Sequence, residues 1–210
     1  MVLPGNTKVD RYRTFEELSR YESQFEVEVR DRGSDVTIIA PHGGRIEPHT
    51  SEIASLIAAD RFNIFCFNGL KEDDNRDLHI TSHRFDHPQA LALVSSARYV
   101  VAAHGCTVRR PVVYLGGLDT ELIRLIRDHL TTHQIDSHWG NDRFKGTHRY
   151  NICNRGKSKR GVQLELSRGV RDSRSAQIKV ALAVQSAISA LKETGRGKGV
   201  TSPINARKSG

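Results

Sequence analysis

The 210-residue chain has little of what would set it outside ordinary globular proteins. No uninterrupted apolar stretch approaches the roughly 20 residues a membrane span requires, so no membrane partner is expected. Its beginning, "MVLPGNTKVDRYRTFEELSRY", lacks an apolar run after a basic start, so cytoplasmic synthesis without a signal peptide is expected. Only three cysteines occur (Cys66, Cys106 and Cys153), far apart and each inside or beside an apolar run. An odd number without paired spacing argues against a disulfide framework, fits a reducing compartment, and suits small buried hydrophobes. No internal repeat and no Pro/Ser-rich linker divides the chain. One catalytic α/β domain over residues 1–194 is therefore expected, followed by a basic disordered tail over 195–210.

Acidic residues are the scarcer charge, and the net charge is +8. The last sixteen residues, "GRGKGVTSPINARKSG", hold four basic and no acidic side chains, a composition that cannot bury a core. Between Arg143 and Arg174 ten Lys/Arg stand against Glu165 and Asp172. A segment this basic suits a polyanionic partner: nucleic acid, an acidic membrane surface or an acidic polymer. A bare charge run is also what a solvated face looks like.

What is present is an alternation of two periods. "FEVEV", "VTIIA", "NIFCF", "YVVAA", "VVYL" and "VQLEL" read as strands, several continuous in the manner of strands buried on both faces. Between them lie "TFEELSRYESQ", "TSEIASLIAAD", "HPQALALVSSA", "DTELIRLIRDHL" and "SAQIKVALAVQSAISALKE", which read as helices. Thr14 with Glu17 suggests a capping box, while Asp119 and Ser173 or Ser175 are further N-cap candidates. The pattern predicts an α/β fold with a mixed, largely parallel central sheet flanked by helices. Ligands of such sheets sit beyond the carboxyl ends of the strands.

Two apolar strands end on a histidine followed by glycine. "VTIIAPHGGRIEP" stops at His42, and Glu47 arrives on the return. "YVVAAHGC" stops at His104. Taken alone, His-x4-Glu is a weak signal, and a strand-end histidine also serves as a structural hydrogen-bonding residue or a general base. Together, His42, Glu47 and His104 make a two-histidine, one-glutamate set with a fourth position left for water, the open coordination of a catalytic Zn²⁺. In "GVQLELSRGVR", Val162, Leu164 and Leu166 alternate with Gln163, Glu165 and Ser167. Glu165 thus projects from a core strand. It reads either as a surface carboxylate beside basic neighbours or as the catalytic general base.

The blocks "APHGGRIEPHTSEIA", "AAHGC", "VVYLGGLDTEL" and "NICNRGKSKRGVQLELSRGVR" resemble the poly-γ-glutamate hydrolase family of bacteriophages and prophages, similar in fold to zinc carboxypeptidases. The resemblance runs with gaps from about Ser34 to Ala190. It implies one Zn²⁺ per chain on His42, Glu47 and His104, Glu165 as catalytic residue, and hydrolysis of the γ-amide bonds of a capsule polymer. Each γ-linked unit keeps a free α-carboxylate, so the basic segment becomes a groove for a polyanion. Arg155 and Arg168 are then candidates to grip a carboxylate or steady the oxyanion, and Asn154 to orient a carboxylate beside Arg155. Lys157, Lys159 and Arg160 are expected on the rim, steering the substrate. A monomer is expected, and release by host lysis would bring it to an extracellular capsule.

Two alternatives share these residues. A zinc peptidase or amidase acting on another acidic peptide would use the same catalytic set. A nucleic-acid-binding phage protein would explain the basic segment, but that segment has few aromatics to stack bases, and no helix-turn-helix or zinc-finger spacing occurs. The remaining histidines carry less. His79, His83 and His87 in "DLHITSHRFDHPQ" have i, i+4 spacing, but Pro88 and the "HITS" composition predict a loop. His83 with Arg84 could line the cleft or be solvated. His129, His133, His138 and His148 are assigned no chemistry, and Trp139 is expected to anchor a loop or pack in the core.

Overall fold

A computed structural model describes residues 9–197 of the chain; of the tail expected over 195–210, residues 195–197 continue the last helix and the rest lies outside the described residues. The elements in chain order are α1 (Phe15–Tyr21), β1 (Phe25–Arg30), β2 (Val36–Gly44), α2 (Thr50–Ala58), β3 (Asn63–Gly69), α3 (Pro88–Ser96), β4 (Tyr99–Gly105) and β5 (Val112–Gly117). They continue with α4 (Thr120–Thr132), β6 (Asp136–Trp139), β7 (Val162–Leu166), the single turn α5 (Arg168–Arg171) and α6 (Arg174–Gly197). Two 3₁₀ turns, Asn75–Leu78 and Ile152–Arg155, interrupt the longer loops.

The strands form one seven-stranded sheet in the order β1-β3-β2-β4-β7-β5-β6. β3, β2, β4 and β7 run parallel, while β1 and β5 pair antiparallel to the ends of that block. β6 then extends the sheet parallel to β5. The mixed, largely parallel sheet expected from the alternating pattern is thus present. All six anticipated strands form. β6, "DSHW", is an addition: a short edge strand, mostly exposed, without the apolar run that marks the others.

Both faces of the central strands are covered, which is why they read as continuous apolar runs. Ile38, Ala40, Val101, Leu164 and Leu166 pack with residues of α2, α4 and α6 on one side. Ile39, Phe65, Phe67, Val100 and Ala102 pack with residues of α3 and α1 on the other. Each such side chain contributes on the order of 1.5–3 kcal/mol by leaving water. The rim is therefore held by a rigid floor.

The caps behave as their chemistry requires. Thr14 Oγ1 accepts from Glu17 N–H at 3.1 Å and Asp119 from Leu122 N–H at 3.1 Å. The return bond of Glu17 goes to Arg13 N–H at 2.8 Å rather than to Thr14, so the box is only half closed in the usual sense. Of the two serines before α6, Ser173 accepts from Ala176 N–H at 3.3 Å. The three cysteines are free and buried, and burial raises each thiol above its ordinary range, as suits inert packing residues.

Candidate metal centre

The site begins with an irregularity in β2. Ala40 pairs with Cys66 of β3 and Gly43 pairs with Asn68, so three steps on β2 oppose two on β3. The extra residue falls at Pro41–His42. Such a bulge breaks the alternation and re-aims a side chain, and here it turns the His42 ring along the strand end. Gly44 then takes a left-handed φ of 59°, where a Cβ would stand 2.5 Å from the Gly69 carbonyl oxygen. The chain turns back at once. Glu47 N–H donates to the His42 carbonyl at 3.0 Å, and Thr50 Oγ1 donates to the Glu47 carbonyl at 2.8 Å. Glu47 is thereby pinned opposite His42.

His104 enters from the neighbouring strand β4. The following Gly105 N–H donates to Glu47 Oε2 at 2.7 Å. A side chain at Gly105 would collide with the Arg171 guanidinium at 2.8 Å and with Glu47 Cβ at 3.0 Å. Arg171 is buried, and its guanidinium donates to the carbonyls of Leu166 at 3.1 Å, Cys106 at 3.1 Å and Pro48 at 2.5 Å. One cation thus ties the strand of Glu165 to the two segments carrying Glu47 and His104.

Three electron-pair donors converge. His42 Nε2 lies 2.8 Å from the Ile80 carbonyl, so that nitrogen carries a hydrogen and Nδ1 faces the other two donors. His42 Nδ1 is 3.1 Å from His104 Nδ1 and 3.3 Å from Glu47 Oε1, while His104 Nδ1 is 3.8 Å from Glu47 Oε2. His104 Nε2 is 3.3 Å from Ser82 Oγ, which gives its outer nitrogen a partner as well. Ligands about 2.0–2.2 Å from a tetrahedral Zn²⁺ stand about 3.3–3.5 Å apart, close to these separations. The donor set therefore fits a metal ion, with outer partners that fix both rings.

A third histidine joins the cluster. The His79 ring stacks on His42 with centroids 3.9 Å apart, and one donor atom each from His42, Glu47 and His79 lies within 4.8 Å of the others. His79 Nδ1 is taken by Asp10 Oδ1 at 2.7 Å. Asp10 in turn accepts from Thr81 N–H at 2.7 Å and Thr81 Oγ1 at 2.5 Å. His104 Nδ1 stands 3.1 Å from His42 Nδ1 and 3.8 Å from Glu47 Oε2, so both imidazoles are within reach of a third-donor position.

The charges agree with ligand duty. Burial and the neighbouring His42 hold the His104 imidazole down to about 3, and burial with His42 lowers His79 to about 4, so both rings are neutral at pH 7. Burial works to raise Glu47, but His42 and His104 outweigh it and lower the carboxyl to about 2. Glu165 goes the other way: burial first, then the Glu47 charge, push it well above the usual carboxylate range. It sits across from His104 in the β4–β7 register. Its Oε1 accepts from Gln163 Nε2 at 2.8 Å, and Gln163 Oε1 accepts from Asn151 Nδ2 at 2.7 Å. These groups line a cleft of about 480 Å³ whose mouth carries His83, Arg143, Lys145 and His148.

The other expected substrate residues lie elsewhere. Asn154 is buried with its amide fully committed: Nδ2 donates to the Gly146 and His148 carbonyls at 2.8 and 3.1 Å, and Oδ1 accepts from Leu118 and Gly161 N–H at 3.2 and 3.1 Å. It braces loops. Arg155 lines a neighbouring cavity of about 640 Å³ and donates to the Phe85 carbonyl at 3.4 Å. Arg168 does not follow the strand. β7 ends at Leu166, Ser167 caps α5, and Arg168 is carried to a third cavity where it pairs with Asp172 at 3.3 Å. Lys157 is exposed and lines none of these three cavities. Trp139 is 47% exposed on β6, outside the core.

His79, Gln163 and Asn151 are the site residues that sequence reasoning missed. "HITS" reads as a loop, and a loop it is; only the packing of the Asn75–Leu78 turn brings its histidine onto His42. Gln163 was legible as Glu165's neighbour on the same strand face.

The mostly parallel sheet with a His–Glu–His cluster at its carboxyl edge and a raised carboxyl beside it defines a hydrolase of zinc carboxypeptidase-like fold. Residues 12–191 match the family model described as poly-gamma-glutamate hydrolase, and the chain belongs to that family. It is similar to the UPF0714 protein YmaC of Bacillus subtilis (strain 168), 33% identical over 175 residues that cover 81% of this chain and 74% of YmaC. The fold is similar to that of a bacteriophage poly-gamma-glutamate hydrolase, with a TM-score of 0.85, 29% identity, and coverage of 89% of this chain and 100% of that one. A zinc-free apo form of YndL gives a TM-score of 0.79 at 28% identity, covering 89% of this chain and 99% of that one. The curated YndL sequence of the same Bacillus strain is longer, and the chain spans 66% of it. Among the described residues no helix is long and apolar enough to cross a membrane.

Proposed function

We propose that the protein hydrolyses γ-glutamyl amide bonds of poly-γ-glutamate with one Zn²⁺ held by His42, Glu47 and His104. The convergence of His42 Nδ1, His104 Nδ1 and the Glu47 carboxylate supports this reading. So do the family to which the chain belongs and the zinc-free state recorded for YndL. When bound, the zinc supplies a Lewis acid that polarises the amide carbonyl and lowers a water's pKa to about 7.

The chain's own residues do the rest. Glu165 takes the proton of the attacking water on its free carboxylate oxygen while Gln163 holds the other oxygen. It then passes that proton to the nitrogen as the C–N bond breaks, releasing an amine and a new carboxylate. Burial and the Glu47 charge raise its pKa, which favours taking up that proton. Arg143 stands at the cleft mouth without an ion-pair partner among the described residues and suits an α-carboxylate of the polymer. Lys145 is partly neutralised by Asp142 at 2.5 Å and contributes less.

The experiment is to incubate the purified protein with poly-γ-glutamate, with and without a chelator, and size the products. Shortened polymer that disappears on chelation and returns with zinc is the expected result. Intact polymer under all conditions, or cleavage indifferent to chelation, contradicts the reading. Cleavage of other acidic peptides alone would point to a zinc peptidase or amidase of different specificity.

A further inference from the structure

The cavity beside the catalytic cleft is the larger of the two, about 640 Å³, a size typical of ligand pockets. Its floor is the outer face of α3, at Leu91, Ala92 and Ser95. Arg149, Tyr150, Arg155 and Lys159 line it as well. None of these three cations has a carboxylate partner among the described residues. The cavity at Arg168 differs, because its lining includes a carboxylate, Asp172, which pairs with Arg168. Arg149 instead lies over the Tyr150 ring, 4.4 Å from its centroid, and Tyr150 is half exposed.

The two cavities share a wall. His148 and Asn151 line the catalytic cleft, while Arg149 and Tyr150, the residues between them, line the second cavity. The wall is fixed from behind by Asn154, whose amide holds the Gly146 and His148 carbonyls. A polymer leaving the cleft over this segment runs onto the second cavity, because consecutive residues line the two.

We propose that this second cavity is a distal subsite for the α-carboxylates of the anionic polymer, several units from the bond that is cut; this rests on the polymer reading of the catalytic cleft. Three unpaired cations over a partly apolar floor match a chain carrying one carboxylate per unit on a methylene backbone. A single aromatic ring, already covered by an arginine, does not make the series of stacking platforms that single-stranded nucleic acid uses. The subsite would hold long chains and leave short ones unaffected.

The test uses labelled poly-γ-glutamate, long and short, and the full chain carrying Glu165→Gln so that nothing is cut. Adding Arg149→Ala with Lys159→Ala should weaken binding of the long polymer roughly tenfold at low salt and leave a short γ-linked oligomer unchanged. Arg20→Ala with Arg30→Ala, the same loss of charge on α1 and β1, should change neither. Unaltered long-polymer binding in the Arg149/Lys159 variant, or an equal loss in the Arg20/Arg30 control, overturns the subsite. Failure of the parent to bind long polymer overturns it as well. A wild-type protein that binds long polymer through Arg149 and Lys159 without cleaving it would sink the catalytic reading alone. Cleavage with no effect of these two side chains would sink the subsite alone.

Discussion

His104 and Glu165, sixty-one positions apart in the chain, stand directly opposite each other on the adjacent parallel strands β4 and β7. The register of two strands thus places the proposed proton-transfer group beside the proposed metal-binding imidazole, both on strands rather than loops. Substituting Glu165→Gln keeps the shape and the bond to Gln163 but removes the base. Turnover should fall about 10²–10⁴-fold with zinc content and melting temperature unchanged. Near-normal turnover in that variant would remove Glu165 from the role.

The donor set separates by metal content. His104→Ala should lose zinc on dialysis, because two donors do not hold it, whereas His79→Ala should retain about one zinc per chain. The reverse outcome, zinc lost with His79 and kept without His104, would transfer the third position to His79, whose donor atom lies within 4.8 Å of His42 and Glu47.

Asp10 gives a pH signature. Its carboxyl is nearly buried, and although burial works to raise it, bonds from His79 and Thr81 lower it below the ordinary range. A folded-state pKa below the unfolded value stabilises the protein above the unfolded pKa of about 3.9, and that stability is lost as pH falls through the folded value. Metal-free Asp10→Asn should be about 2 kcal/mol less stable than wild type at pH 7, the worth of charge-assisted hydrogen bonds. The gap should narrow below pH ~4. Urea titrations at both pH values check this, and a gap that widens on acidification would contradict it.

How much of this was legible in the sequence divides along physical lines. β2 and β4 announce themselves because strands buried on both faces are continuous apolar runs, and a histidine ending such a run is conspicuous. His42 and His104 are of that kind, while Glu47 is legible from the tight return after β2 and Glu165 from the alternation along β7. The residues misread are those whose placement depends on where a strand stops or what a polar side chain touches. Arg168 was extrapolated along β7, but Ser167 leaves the strand to cap α5. Asn154 looks available in "CNRG", yet four backbone groups occupy its amide. Arg171 counted toward a basic groove, but it is an interior brace. Such hydrogen bonds join segments far apart in the chain, and no local pattern encodes them.

Arg171 therefore carries its own prediction. Replacing it with methionine strands the carbonyls of Leu166, Cys106 and Pro48, which should cost about 3 kcal/mol of stability. Because two of those carbonyls belong to the segments bearing Glu47 and His104, zinc affinity should also fall about 10–100-fold. Loss of stability with zinc affinity intact would reduce Arg171 to a packing role.

The most direct measurement is an anomalous difference map, at the zinc edge, from crystals grown with zinc. One peak about 2.0–2.2 Å from His42 Nδ1, His104 Nδ1 and a Glu47 oxygen is the expected result. A peak bound by His79 in place of His104, or no peak among these side chains, would contradict it.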